Sequence, residues 1–162
     1  NNEPFWISCK KSRILVHKWR SIENSILVGY NTVISDNPSL NTRDFGGINP
    51  IRIVLDPKNT LSHKYNVFNS DSETYKIPKK NNTKKYIDDI IDFMFEKEIQ
   101  SVIVEGGKKT LDLFIKNNIW DEARVFTSPI KLKKGTKSPQ INGKTINQYR
   151  IDSDLLKIIL RN

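Results

Sequence analysis

Apolar residues fall along this chain in two kinds of grouping. Three short runs, Ser25-Ile-Leu-Val-Gly29, Ile51-Arg-Ile-Val-Leu-Asp56 and Ser101-Val-Ile-Val-Glu-Gly-Gly107, carry little or no polar alternation. Such runs predict strands buried on both faces, as in a parallel sheet. Elsewhere the apolar positions recur at helical spacing. A helix opens at Ser8 or Cys9 and runs to about Ser21, with Leu15, Val16 and Trp19 on one side and Arg13, His17 and Arg20 on the adjacent face. A clearer amphipathic helix covers Lys84 to Lys97, with Ile87, Ile90, Ile91 and Met94 in register, and another covers Lys108 to Lys116. A short helix follows Gly29, capped by Asn31 or Thr32 and ended by Asp36-Asn37-Pro38.

Val67-Phe68 and the region of Tyr75 read as brief strands, Glu122 to Thr127 as a further strand, and Ile146–Ile151 with Leu155–Leu160 as a closing antiparallel pair. Trp19 and Trp120 read as core. Strand alternating with helix predicts an α/β fold around a mostly parallel sheet. There is no internal repeat and no linker, so residues 1–162 are expected to form one domain.

In open α/β sheets the ligand lies beyond the carboxyl ends of the strands. Three such ends are predicted to converge: Gly29 with Asn31 and Thr32, Asp56, and Glu105-Gly106-Gly107. Paired glycines let a backbone approach a ligand, and a helix starting there directs free N–H groups and its positive dipole end at a phosphate. The G-x-G-x-x-G fingerprint is absent, which disfavours a standard dinucleotide-binding domain. Arg20 and Arg43 are candidate phosphate clamps, because a guanidinium binds phosphate oxygens in a bidentate way. His17 reads as a local structural, hydrogen-bonding group rather than a catalytic or metal-binding one.

Charge alters this picture little. The formal net charge is +9, but the lysines are scattered among many Asn and Ile residues, the trio that A+T-rich codons supply. The Lys79–Lys85 cluster has no interleaved aromatic platform, so a specific nucleic-acid partner is not expected. An anionic small molecule fits better. The single cysteine, Cys9, excludes an internal disulfide and a multi-cysteine zinc site. With no apolar run near the roughly 18 residues of a membrane span, a cytoplasmic protein with no membrane partner is expected.

The strings Trp6-Ile-Ser, Ser12-Arg-Ile-Leu-Val-His-Lys-Trp-Arg20, Gly29-Tyr-Asn-Thr32, Asp36-Asn-Pro-Ser-Leu40, Arg43, Pro50 to Asp56, Ser101 to Gly107, Trp120 to Phe126 and Pro129 resemble, in order and spacing, the reductase domain of the bacterial bifunctional riboflavin-biosynthesis deaminase–reductase. That resemblance implies a dihydrofolate-reductase-like three-layer fold. It implies NADPH-dependent reduction of 5-amino-6-(5-phosphoribosylamino)uracil to the ribitylamino compound. Trp6, Thr32 and Asp36 fall on cofactor positions, with Asp36 the candidate polar group at the reacting centre. Gly106, Gly107, Lys108, Lys109, Thr110 and Leu111 fall on the pyrophosphate loop. Arg20, Leu40 and Arg43 fall on substrate positions, and Glu105 where a carboxylate accepts hydrogen bonds from the pyrimidine ring.

The resemblance also implies a homodimer, with the C-terminal strands a reasonable contact. The family's usual strand before Trp6 is not in this sequence, its serine is Pro4 here, and Pro57 follows Asp56. The zinc deaminase domain is absent too, so a reductase segment of a longer polypeptide is expected. Lys108 and Lys109, at a helix start, more naturally face the pyrophosphate or solvent, so the Lys79–Lys85 region or Lys58 would select NADPH through its 2′-phosphate. The alternatives are a pterin-type reductase of the same fold or a basic nucleic-acid-binding module.

Overall fold

The three apolar runs assemble side by side. The computed structural model describes residues 6–80, 85–132 and 134–162. Its elements are α1 (Lys10–Arg20), β1 (Ser25–Gly29), α2 (Tyr30–Asp36), β2 (Ile51–Leu55), a 3₁₀ turn (Asn66–Phe68), β3 (Thr74–Ile77), α3 (Tyr86–Glu96), β4 (Val102–Val104), α4 (Lys108–Lys116), β5 (Glu122–Thr127), β6 (Lys144–Ile151) and β7 (Asp154–Leu160). The first four strands form a parallel sheet in the order β3-β2-β1-β4.

All five residues of β1 are buried. Successive side chains of a strand point to opposite faces. Ile26 and Val28 therefore meet Val33 of α2, Leu40, Leu61 and Val67 on one face. Leu27 meets Ile87 and Ile90 of α3 and Phe114 of α4 on the other. Each fully buried aliphatic side chain contributes roughly 1.5–3 kcal/mol. Helices on both faces of a parallel sheet give the three layers expected of the dihydrofolate-reductase-like fold.

The remaining strands form a second, antiparallel sheet in the order β5-β7-β6, with a bulge in β6 between Thr145 and Asn147. Helix α1 is pinned to this sheet at its start. The buried Asp154, on β7, accepts from the Cys9 N–H at 2.8 Å and the Ser12 hydroxyl at 2.7 Å. Burial alone would push the Asp154 carboxyl up, but the hydrogen bonds from Ser12, Cys9 and Ser153 hold it below its ordinary range.

Several expectations change. Val67-Phe68 belongs to a 3₁₀ turn, not a strand. The Asn66 N–H donates to Asn37 Oδ1, and the Val67 carbonyl accepts from buried Arg52 and from Thr74, so polar bonds to neighbouring segments replace a ladder. β4 is half-buried, because it is an edge of the parallel sheet rather than an interior strand. Among the described residues β4 pairs with β1 and β5 with β7. The groove of about 850 Å³ between these two edges is walled by Val16 and Trp19 of α1 and by Met94 and Leu111 of α3 and α4. Trp19 and Trp120, expected in the core, stand half-buried on this groove.

Candidate active site

Strand order creates a crevice. From β1 the chain moves outward to β2 and β3, whereas β4 adds on the other side of β1. Connections leaving β1 and β4 at their carboxyl ends thus diverge, and ligands of open α/β sheets bind at such a switch point. Gly29 leads into α2 on one side, and Glu105-Gly106-Gly107 leads into α4 on the other.

The two connections are tied together. The Gly107 N–H donates to the Thr32 hydroxyl at 3.0 Å. Thr32 was expected as a cap or cofactor contact; it sits inside α2, which is capped by Gly29. The Lys108 and Lys109 amides occupy the first turn of α4 and have no carbonyl one turn back to bond. That leaves donors and a positive dipole end facing the crevice rim.

The glycines have a different reason from the one expected. A Cβ on Gly29 would lie 2.2 Å from Thr110 Oγ1, and one on Gly106 would lie 2.6 Å from Thr110 Cβ. Buried Thr110 therefore wedges α4 against both strand ends, and these glycines permit helix–strand packing rather than close approach of a ligand. Gly107 is exposed and meets no such contact. Asp56, the third strand end, is fully buried. It accepts from the Thr60 and Leu61 amides at 3.1 and 2.8 Å, so it shapes the following loop instead of facing a ligand.

Arg20 and Glu105 meet across 85 residues of chain. Nε and Nη2 of Arg20 donate to the two carboxylate oxygens at 2.9 and 2.6 Å, and Nη1 donates to the Asn41 carbonyl at 3.1 Å. Expected as a phosphate clamp, Arg20 is placed instead as the partner of Glu105. Each Glu105 oxygen keeps a further lone pair for a ligand. Arg43 is exposed and hydrogen-bonded to Asn41 Oδ1 at 3.1 Å, with Asp44 Oδ1 3.9 Å from its Nε.

Leu40 has a φ of 51°, a left-handed conformation unusual for a branched side chain. Its side chain is buried in the core, so the backbone is what Leu40 offers a ligand. Asp36 ends α2 and is exposed. Trp6 is half-exposed with the Arg13 guanidinium 4.4 Å above its ring. Lys108 is paired with Asp112 at 2.6 Å, and Leu111 turns toward the groove rather than the crevice. Lys109 is exposed on α4 beside Asp112 and Lys116.

Residues 1–156 match the RibD C-terminal domain. The chain belongs to this family. It is 33% identical over 148 residues to the riboflavin biosynthesis protein RibD of Aquifex aeolicus, a match covering 80% of this chain and 42% of that protein. It is 26% identical over 159 residues to the 5-amino-6-(5-phosphoribosylamino)uracil reductase of Buchnera aphidicola subsp. Acyrthosiphon pisum, covering 80% of this chain and 77% of that one. The crystal structure of a diaminohydroxyphosphoribosylaminopyrimidine deaminase/5-amino-6-(5-phosphoribosylamino)uracil reductase from Thermotoga maritima matches with a TM-score of 0.84 at 29% identity, over 97% of this chain and 50% of that one. The chain spans half or less of the length of the Aquifex and Thermotoga proteins.

In this RibD C-terminal domain the residues that sequence reasoning missed lie in the loop after Leu40. The Asn41 carbonyl receives Arg20, and the Asp44 N–H donates to His17 Nδ1 at 3.3 Å. The shared helical face of Arg13, His17 and Arg20 was the available signal. Burial, and then Arg20, push the His17 imidazole below its ordinary pKa. Among the described residues no helix is long and apolar enough to cross a membrane.

Proposed function

We propose that the chain is the reducing unit of a riboflavin-biosynthesis enzyme acting on 5-amino-6-(5-phosphoribosylamino)uracil with NADPH. The observation that carries this reading is the Arg20–Glu105 pair at the β1–β4 switch point, in a chain that belongs to the RibD C-terminal domain family. The exposed start of α4 fits a pyrophosphate. Its first-turn amides are donors, and the helix's own carboxylate, Asp112, is paired with Lys108. NADPH supplies a hydride for C1 of the substrate's ring-opened ribosylamino imine, whose nitrogen takes a proton.

The chain's own residues bind and orient. Glu105, fixed by Arg20, accepts from the pyrimidine ring through its remaining lone pairs. Arg43, exposed on its loop, pairs with the ribose phosphate. Trp6 and Asp36 flank the nicotinamide end, with Asp36 relaying the proton through water. Holding both reactants in one crevice supplies most of what the protein contributes. A pterin-type substrate has no phosphate for Arg43 to meet. The lysines of the Lys79–Lys85 cluster at positions 84 and 85 bracket the limit of the described residues; Lys84 lies outside them. Lys58 and Lys79 are exposed and available for the 2′-phosphate, and Lys80 is exposed with its Nζ 4.0 Å from Glu96.

The groove between β4 and β5 lies between two edges that pair with no further strand among the described residues, and residues of α1, α3 and α4 line it. Residues 1–162 are on this reading one reductase domain that an additional strand completes. β6, exposed along nearly its whole length with Tyr149 and Ile146 outward, is the surface for a second copy. NADPH consumption with the pyrimidine ribose phosphate tests the reaction. It is expected for the chain extended upstream by such a strand. No consumption by either the extended or the present chain would overturn the reading.

A further inference from the structure

His17 is buried on α1, at the back of the loop that carries Arg43. The Asp44 main-chain N–H donates to its Nδ1 at 3.3 Å. A main-chain amide can only donate, so Nδ1 holds a lone pair and the ring proton is on Nε2. That Nε2–H faces the Asp44 carboxylate, with Oδ2 at 3.6 Å. Arg20 Nη1, 3.5 Å from the same nitrogen, is then a second donor and not its hydrogen-bond partner. Asp44 thus addresses both nitrogens of one imidazole, and the residue before it is Arg43.

We propose that His17 is a positioning residue for substrate phosphate: as the neutral Nε2–H tautomer it fixes the Thr42–Asp44 turn against α1 and so sets where Arg43 stands. The inference rests on the assignment of Arg43 to the ribose phosphate. Other bonds of the turn are internal to the loop, the Thr42 hydroxyl and amide both reaching Asn49 Oδ1 at 3.0 Å. The Arg20–Asn41 bond is the other tie to α1. A protonated ring would set a new N–H against the Asp44 N–H and add a positive charge beside Arg20 and Arg43. Asp44 and Glu105 favour that charged ring, but burial, Arg20 and Arg43 oppose it and prevail.

Two measurements test this. Long-range proton–nitrogen NMR, with His17→Asn for assignment, reads the ring directly. The Nε2–H tautomer is expected, titrating below 6.5. An Nδ1–H tautomer, or a midpoint at or above that value, overturns the proposal. In kinetics, His17→Ala is expected to raise KM for the phosphorylated substrate about tenfold, with kcat, NADPH affinity and the KM of a phosphate-free analogue within about twofold. His17→Asn, whose Oδ1 stands where Nδ1 stood, restores the KM.

An equal rise for both substrates would mark a merely structural residue. If neither the present chain nor its extended form shows turnover, the proposed reaction fails and inorganic phosphate decides His17. Titration should shift the Arg43 and Asp44 amide signals at about tenfold lower phosphate in wild type than in His17→Ala. Identical titrations would overturn the proposal.

Discussion

Arg20 and Glu105 form a two-pronged ion pair, at 2.9 and 2.6 Å, that joins the end of α1 to the end of β4. Both side chains are largely covered, at 12% and 23% exposure, so each is costly to leave alone. Arg20→Ala and Glu105→Gln are each expected to lower kcat/KM by about 30-fold, and the double variant by little more. The coupling expected is about 2 kcal/mol. A double-mutant cycle in steady-state kinetics checks this, and strictly additive losses would contradict it.

Thr110 makes a sharper structural prediction. Gly29→Ala and Gly106→Ala should each destabilise by about 1–3 kcal/mol through overpacking. Thr110→Ala removes Oγ1 but keeps Cβ. It should rescue Gly29→Ala, whose next contact is Thr110 Cβ at 3.6 Å, and fail to rescue Gly106→Ala, whose clash at 2.6 Å is with Cβ itself. Urea unfolding of the five variants measures it. Equal rescue of both would mean the glycines answer to something other than Thr110.

Asp154 should report in acid. Its carboxyl is held below 3.8 in the folded chain, so the native state binds fewer protons than the unfolded one just below that pH. Its contribution is full above the unfolded value and fades as pH falls through the folded one. Asp154→Ala strands the Cys9 amide and the Ser12 hydroxyl, and should cost about 1–3 kcal/mol at neutral pH. The loss should shrink toward pH 3. A difference that is constant with pH, by denaturant titration, would refute the charged cap.

Cofactor choice is open to a direct comparison. NADPH should raise the melting temperature more than NADH at matched concentration, because a ligand bound only by the folded state stabilises it by mass action. Equal shifts would remove the preference.

The core strands were legible because periodicity is local. β1, β2, α1 and α3 appear within a residue or two of their expected bounds. Val67-Phe68 misled because its β-branched and aromatic residues favour strands, while Asn37, Arg52 and Thr74, distant in sequence or set in other segments, decide its turn. The split into two sheets was hidden because which strands pair is not written in any one strand. The position of Glu105 at a strand end was legible, but its engagement by Arg20, 85 residues away, was not. The glycines suggested a ligand, whereas the constraint came from Thr110 on α4, four residues after Gly106.

Helix α1 has one consequence beyond its own packing. Its first turn is bonded to the β6–β7 hairpin through Asp154, and through Lys11 to Asp152 at 2.7 Å, while its last turn holds Glu105 of the parallel sheet. Eleven helical residues make a stiff rod about 16 Å long. The rod works as a lever, with one end on the hairpin and the other at the crevice. A tilt of one sheet against the other would move the Arg20 guanidinium, so a change at the hairpin would be felt at Glu105.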